Sequence, residues 1–143
     1  MIEVKELNLE QGDFSLSDLN FELPKGAYGV LVGKSGCGKT TLLEAVCGLR
    51  PIASGRILLG GRDVSTLKPG ERGVGYVPQD GALFPHLSVA RQLGFSLTLR
   101  KTQPRQIAMR VEELSERLGI THLLDRMPDS LSGGECQRVA LGR

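Results

Sequence analysis

Tryptophan is absent, and the aromatic residues together make up only 4% of the 143-residue chain. Single-strand nucleic-acid binders depend on aromatic stacking platforms, which this composition does not provide. Lys and Arg number 18 against 16 Asp and Glu, a net charge of +2, and they are scattered along the chain. No concentrated basic patch for a nucleic-acid backbone or an anionic membrane is written there. There is no run of ~18 apolar residues to span a bilayer. The early acid in Met1–Glu6, with no long apolar core behind it, does not read as a secretory leader. Cys37, Cys47 and Cys136 are odd in number, widely spaced and form no CxxC pair. That pattern argues against a disulfide framework or a zinc site and makes a reducing cytosol the default.

Glycine is what the chain has in excess: 19 residues, roughly 13% against a usual ~7%. The glycines cluster at Gly33-Gly36-Gly38, Gly60-Gly61, Gly70-Gly73-Gly75 and Gly133-Gly134. Clustered glycine marks backbone that turns tightly or approaches a ligand closely. The remainder, 40% hydrophobic and 24% charged, is that of an ordinary folded domain.

Alternation of Ile2, Val4, Leu7 and Leu9 with polar residues predicts a strand over 2–9, followed by a turn at Gln11-Gly12-Asp13. Phe14 to Leu23 alternates again, with one irregular step. The short apolar run Ala27–Val32 carries the signature of a strand buried on both faces. A helix is expected over Thr40–Val46, with Leu42, Leu43, Ala45 and Val46 facing inward and Gly48 ending it. Strands are expected at Arg56–Leu59, turned by Gly60-Gly61, and at Gly73–Val77, stopped by Pro78. Ser88–Gly94 predicts a short helix. Pro104–Leu118 predicts a long one, with Ile107, Val111, Leu114 and Leu118 in one stripe and Glu113 paired with Arg117. A last helix opens at Ser132. Strands first and helices last give an α/β domain with an antiparallel front.

Between the apolar run and the first helix, Gly33-Lys34-Ser35-Gly36-Cys37-Gly38-Lys39-Thr40 matches GxxxxGK[ST] at every fixed position. Glycines let consecutive amides point inward around phosphate oxygens, and the following helix adds the positive end of its dipole. Lys39 is placed to neutralise the outer phosphates of a nucleotide, and the Thr40 hydroxyl to bind Mg²⁺, which prefers hard oxygen donors. A chance match has odds on the order of one in a hundred for a chain of this length and ordinary composition. The strand before it and the helix after it lower those odds further. A phosphatase-like nucleophile at Cys37 would need an arginine a few residues on, and none follows. Cys37 therefore reads as a small filler.

Leu131-Ser132-Gly133-Gly134-Glu135 opens the last helix. Ser132 and Glu135 form an S-x-x-E capping box, which needs no ligand. The two glycines between them weaken a helix, and they make sense where a phosphate must reach bare N-terminal amides. Gln79, just past the expected strand at Gly73–Val77, puts a polar amide at a strand tip, where ligands of α/β sheets bind.

These three features, in this order, resemble the ATP-binding cassette (ABC) family, the nucleotide-binding domains of membrane transporters. The resemblance covers the whole chain. Gly33–Thr40 corresponds to the Walker A loop, Gln79 to the Q-loop glutamine and Leu131–Glu135 to the family signature. In detail, Gly75–Gln79 followed by Leu83–Val89 looks like importer ATPases. The resemblance implies a phosphate-loop cassette of 1–143 as a single domain, with an antiparallel β subdomain, a partial parallel core sheet and a helical subdomain near 84–130. It implies that ATP and Mg²⁺ are held by Gly33, Lys34, Ser35, Gly36, Cys37, Gly38, Lys39, Thr40 and Thr41. Gln79 would position the metal or the attacking water. Ser132, Gly133, Gly134 and Glu135 would contact ATP held by the opposite subunit of a head-to-tail homodimer. Transmembrane permease subunits are the implied partners, and the cytoplasmic face of the membrane the implied location.

The sequence also departs from that family. Its members continue past the signature helix to a Walker B strand with an Asp, a catalytic Glu and a switch His. Here no apolar strand ends in Asp-Glu, and His86 and His122 are misplaced for the switch. The general base for water attack is missing, so the expectation for these 143 residues is ATP binding without unaided hydrolysis. The chain reads as a cassette lacking its C-terminal part, with Ala27–Val32 and Gly73–Val77 left short of neighbouring strands and the polypeptide unstable or prone to aggregate. The family's adenine-stacking aromatic would fall near Glu10; the nearest aromatic is Phe14, which reads as core. A non-hydrolysing nucleotide module is the alternative. Kinases and GTPases are disfavoured by Ser132-Gly133-Gly134 and Gln79, and soluble cassette proteins of DNA repair or translation by the lack of long insertions.

Overall fold

The computed structural model describes residues 1–12 and 14–143. Asp13, in the expected first turn, lies outside them. Backbone contacts divide the chain into two units, Met1–Tyr76 and Val77–Arg143.

In the first unit, β1 (Ile2–Gln11), β2 (Phe14–Leu23), β3 (Ser54–Leu59) and β4 (Arg62–Asp63) pair antiparallel in the order β2-β1-β3-β4. The apolar positions of β1 run 2, 4, then 7, 9, one residue out of phase. Strict alternation would send Leu7 and Leu9 to the face opposite Val4. The structure resolves this with an extra residue at Glu6 (φ 48°), so that Val4, Leu7 and Leu9 are all buried. The irregular step in β2 is its counterpart, an extra residue at Asp18 (φ 50°) between Leu16 and Leu19. Each bulge releases a backbone amide from the ladder, and an asparagine catches it. Asn20 Oδ1 accepts from the Glu6 amide at 2.8 Å, and Asn8 Oδ1 from the Asp18 amide at 3.0 Å. Asn8 also donates to Ser54 Oγ on β3 at 2.8 Å.

Helix α1 (Lys39–Cys47) completes this unit by burying Leu42, Ala45 and Val46 against Val4, Leu7, Leu9, Ile57 and Val64. Leu43, expected inward, is instead 46% exposed, because a nine-residue helix turns only one stripe to the core. The two strands expected at Ala27–Val32 and Gly73–Val77 are not formed. All pairing among the described residues is antiparallel, and no parallel core sheet is built from them. A strand exists only through the ladder it shares, and an apolar run cannot supply its own partner. Tyr28, Val30 and Val32 are 92%, 68% and 89% exposed.

The second unit is helical: α2 (Val89–Leu93), α3 (Phe95–Leu99), α4 (Pro104–Arg117) and α5 (Gly133–Gly142). Its core joins Val89, Leu93, Val111, Ile120, Leu123 and Val139. α4 starts at the expected proline, and Glu113 pairs with Arg117 at 2.9 Å and with Arg110 at 2.7 Å. Helix α3 was not legible beforehand; five residues are too few to show a period. Gln92 is fully buried and satisfied, its Oε1 accepting from the Phe84 amide at 3.0 Å and its Nε2 donating to the Leu87 carbonyl at 3.2 Å. Arg143 donates to the Ala82 carbonyl at 2.6 Å and lies 5.0 Å over the Phe84 ring. The segment after Gln79 is thus pinned from two sides.

Gly55 shows how tightly the bulge is built. Its φ is +93°, and a Cβ there would stand 2.4 Å from the Glu6 carbonyl oxygen and 2.6 Å from Leu7 Cα. Gly55→Ala is expected to destabilise the fold by about 2 kcal/mol or more. Gly60→Ala (φ +60°, with nothing within 4 Å) should cost only about 1 kcal/mol. Urea unfolding of the two variants checks the difference.

Candidate functional site

The loop between the segment 27–32 and α1 is held open by its residue types. Gly36 and Gly38 have φ of +80° and +92°, in the left-handed region that side chains avoid. A Cβ at Gly38 would stand 2.6 Å from Phe14 Cζ and 2.8 Å from Leu16 Cδ1, so β2 packs directly beneath the loop. A Cβ at Gly33 would meet Cys37 Sγ at 2.7 Å. Cys37 is exposed, so it fills space within the loop rather than in the core.

This turn leaves donors bare. Within the loop, the Cys37 amide bonds the Lys34 carbonyl at 3.4 Å, and α1 begins its own ladder with Leu42 to Gly38 at 2.9 Å. Among the described residues, the amides of Ser35, Gly36, Gly38, Lys39, Thr40 and Thr41 donate to no protein acceptor, and no side chain caps α1. The first amides of a helix are its positive end. Lys39 adds a full charge. Its Nζ donates to the carbonyls of Gly33 at 2.9 Å and Lys34 at 2.7 Å, and its third donor faces Cys37 Sγ at 3.6 Å. A thiol sulfur is a weak acceptor, and an anionic oxygen replaces it readily. Bare amides, a helix N-terminus and an ammonium group are thus brought together in one exposed loop. That donor set fits a polyphosphate. The Thr40 hydroxyl, exposed at the lip, makes no hydrogen bond among the described residues and is available as a hard oxygen ligand.

In the second unit the S-x-x-E box forms as expected. The Ser132 amide and hydroxyl donate to Glu135 Oε2 at 2.7 and 2.6 Å, and the Glu135 amide donates back to Ser132 Oγ at 3.4 Å. The box leaves the amides of Gly133 and Gly134 without protein acceptors among the described residues, and a Cβ at either glycine would meet nothing within 4 Å. The cap and an open helix end coexist. Gln79 is exposed, in the turn just before the buried Gly81, which packs on Ala140 of α5. His86 and His122 are both exposed, and no group of three or more His, Cys, Asp or Glu converges among the described residues.

A second concavity lies wholly among the helices of this unit. It has a volume of about 840 Å³ and is lined by Ala90, Gly94, Phe95, Ile107, Val111 and Leu124, with Arg91 and Glu112 at its edge. Sequence patterning did not reveal it, because it depends on α3. No helix of the described residues is long and apolar enough to cross a membrane.

The Ser132 hydroxyl, followed by the Ser132 amide, holds the Glu135 carboxyl below the usual glutamate range, with Arg126 and Arg138 adding to the effect. A carboxylate with a lowered folded-state pKa contributes its stability above the unfolded value and loses it as pH falls through the folded one. The cap should therefore be intact at neutral pH and lost only below the ordinary glutamate value of about 4.3. Carboxyl NMR titration is expected to place Glu135 below a glutamate in an unstructured peptide, and Ser132→Ala to move it back up.

The sequence model of the family described as ABC transporter matches residues 16–143. The chain is 46% identical over 143 residues to the molybdate/tungstate import ATP-binding protein WtpC of Thermococcus kodakarensis, covering 100% of this chain and 43% of that protein. It is 49% identical over 126 residues to the maltose/maltodextrin import ATP-binding protein MalK of Yersinia pestis, covering 88% of this chain and 34% of that one. A dimeric ATP-binding cassette solved in a post-hydrolysis state with ADP and Pi has the same fold, with a TM-score of 0.88 at 23% identity over 99% of this chain and 68% of the other. The chain spans about two fifths of the length of WtpC.

Proposed function

The chain belongs to the ABC transporter family, and on that premise we propose that it binds ATP at Gly33–Thr41 as the nucleotide-binding part of a solute importer. The observation that carries this reading is that the amides of Ser35, Gly36, Gly38, Lys39, Thr40 and Thr41 have no protein acceptor among the described residues, in the same loop and helix start as the Lys39 ammonium. Loop amides and Lys39 grip the phosphate oxygens. The Thr40 hydroxyl would hold Mg²⁺, which when bound neutralises phosphate charge. The open amides of Gly133 and Gly134, with Ser132 and Glu135 framing them, fit a phosphate brought by a second copy of the chain. ATP would then be shared across a head-to-tail dimer, and the association would drive the transport cycle. The apolar groove around Phe95 and Ile107 suits a short amphipathic helix of a membrane permease. Residues near 84–130 would thus be the helical subdomain that meets the transporter at the cytoplasmic face of the membrane. The names of the relatives, import proteins for oxyanions and for maltodextrins, support uptake as the direction.

Two substitutions separate the parts of this proposal. Lys39→Ala is expected to weaken binding of a fluorescent ATP analogue with Mg²⁺ by about tenfold or more; unchanged affinity would remove the phosphate role. Ser132→Arg should leave ATP binding by a single copy intact and abolish ATP-dependent association, read by light scattering. Loss of binding in the monomer would show that the signature segment does not act across the dimer.

A further inference from the structure

Arg72 is 8% exposed and forms no ion pair among the described residues. A cation without a carboxylate is a poor way to fill a core, since an apolar side chain of similar volume would pack there without losing hydration. The guanidinium is satisfied instead by carbonyls alone. Its Nη1 donates to Ala45 at 2.8 Å and Val46 at 3.0 Å, its Nε to Leu67 at 2.9 Å and its Nη2 to Ser65 at 3.1 Å. Ala45 and Val46 lie in the last turn of α1, at its negative end, and the Ala45 carbonyl accepts from the Gly48 amide at 3.1 Å as well as from Arg72. No basic residue of α1 itself serves that end. Room has been kept for the planar group: Gly48, at φ +78°, would otherwise place a Cβ 2.4 Å from Arg72 Nε.

We propose that Arg72 is a positioning residue for the phosphate loop, acting through α1. At 1.5 Å per residue the helix is only about 13 Å long, so its two ends move as one body. Its head carries the bare amides and Lys39, and its tail is gripped by Arg72. The grip is anchored in turn. Ser65, which offers its carbonyl to Arg72, uses its hydroxyl to accept from the Ile57 amide of β3 at 2.9 Å and to donate to Asp63 at 2.6 Å. The head is seated on Phe14 and Leu16 of β2. An anion at one end and a cation at the other both favour the same helix dipole, so the guanidinium fixes the direction in which the loop amides point and adds to their pull.

This inference rests on the phosphate reading above, and one experiment separates the two. ATP affinity and the unfolding midpoint would be measured for the parent chain and for Lys39→Ala, Arg72→Met, Arg72→Lys and Gly48→Ala, each well below its own midpoint. Arg72→Met is expected to weaken ATP binding about tenfold while folded. Arg72→Lys should recover little of this, because a point ammonium cannot serve carbonyls on three sides. Gly48→Ala should weaken binding with Arg72 still present, and it carries the test if Arg72→Met does not fold. Lowered midpoints with unchanged affinity in the Arg72 and Gly48 variants would make Arg72 a stability residue only and overturn the proposal. If Lys39→Ala also left affinity unchanged, the phosphate reading itself would fall.

Discussion

A helix whose first amides meet no acceptor among the described residues sets the terms for the rest of Met1–Tyr76. Ordinarily such amides are closed by a cap residue, at a gain of about 1 kcal/mol. Here Gly38 occupies the cap position with no side chain to close them. The stability forgone at the head is supplied elsewhere, by Leu42, Ala45 and Val46 against the sheet and by Phe14 and Leu16 beneath the loop. Fully burying one leucine contributes on the order of 2 kcal/mol, so a small core suffices to hold a loop that is not satisfied by its own contacts.

The second unit meets the same requirement differently. In α5 the capping box is complete, yet it uses only the Ser132 and Glu135 groups and leaves the two glycine amides facing outward. Stability and access are divided between the outer and the inner residues of one turn. At α1 they are divided between the two ends of one helix.

What could be read from the sequence was local. The glycine spacing of residues 33–40 and the S-x-x-E spacing of 132–135 each fix a backbone geometry within a few residues, and both appear as expected. The irregular step in Phe14–Leu23 marks the bulge of β2, whereas the broken phase between Val4 and Leu7 passes for plain alternation and shows itself as a bulge only in the pairing with β2. What could not be read depends on groups far apart in the chain. Ala27–Val32 has a strand's composition, but a ladder is made by a neighbour, and its own residues say nothing about whether one is there. Arg72 escaped notice because its partners are carbonyls, which every residue carries, lying 26 and 27 positions away. Leu43 was assigned to the core because a helical stripe over nine residues does not fix where its edge falls.

The paired bulges bear on how this sequence can drift. Asn8 and Asn20 each serve the bulge on the other strand, and Gly55 on β3 has no room for any side chain while Glu6 remains the extra residue. A lineage could abandon the arrangement only by deleting the residues at both bulges together, since removing one would slip β1 against β2 and turn Leu7 and Leu9 to the solvent face. Each single step away from it costs a buried contact or a bonded amide. Glu6, Asn8, Asp18, Asn20 and Gly55 should therefore change as a set or stay as they are, even though none of them belongs to the glycine loop of residues 33–38.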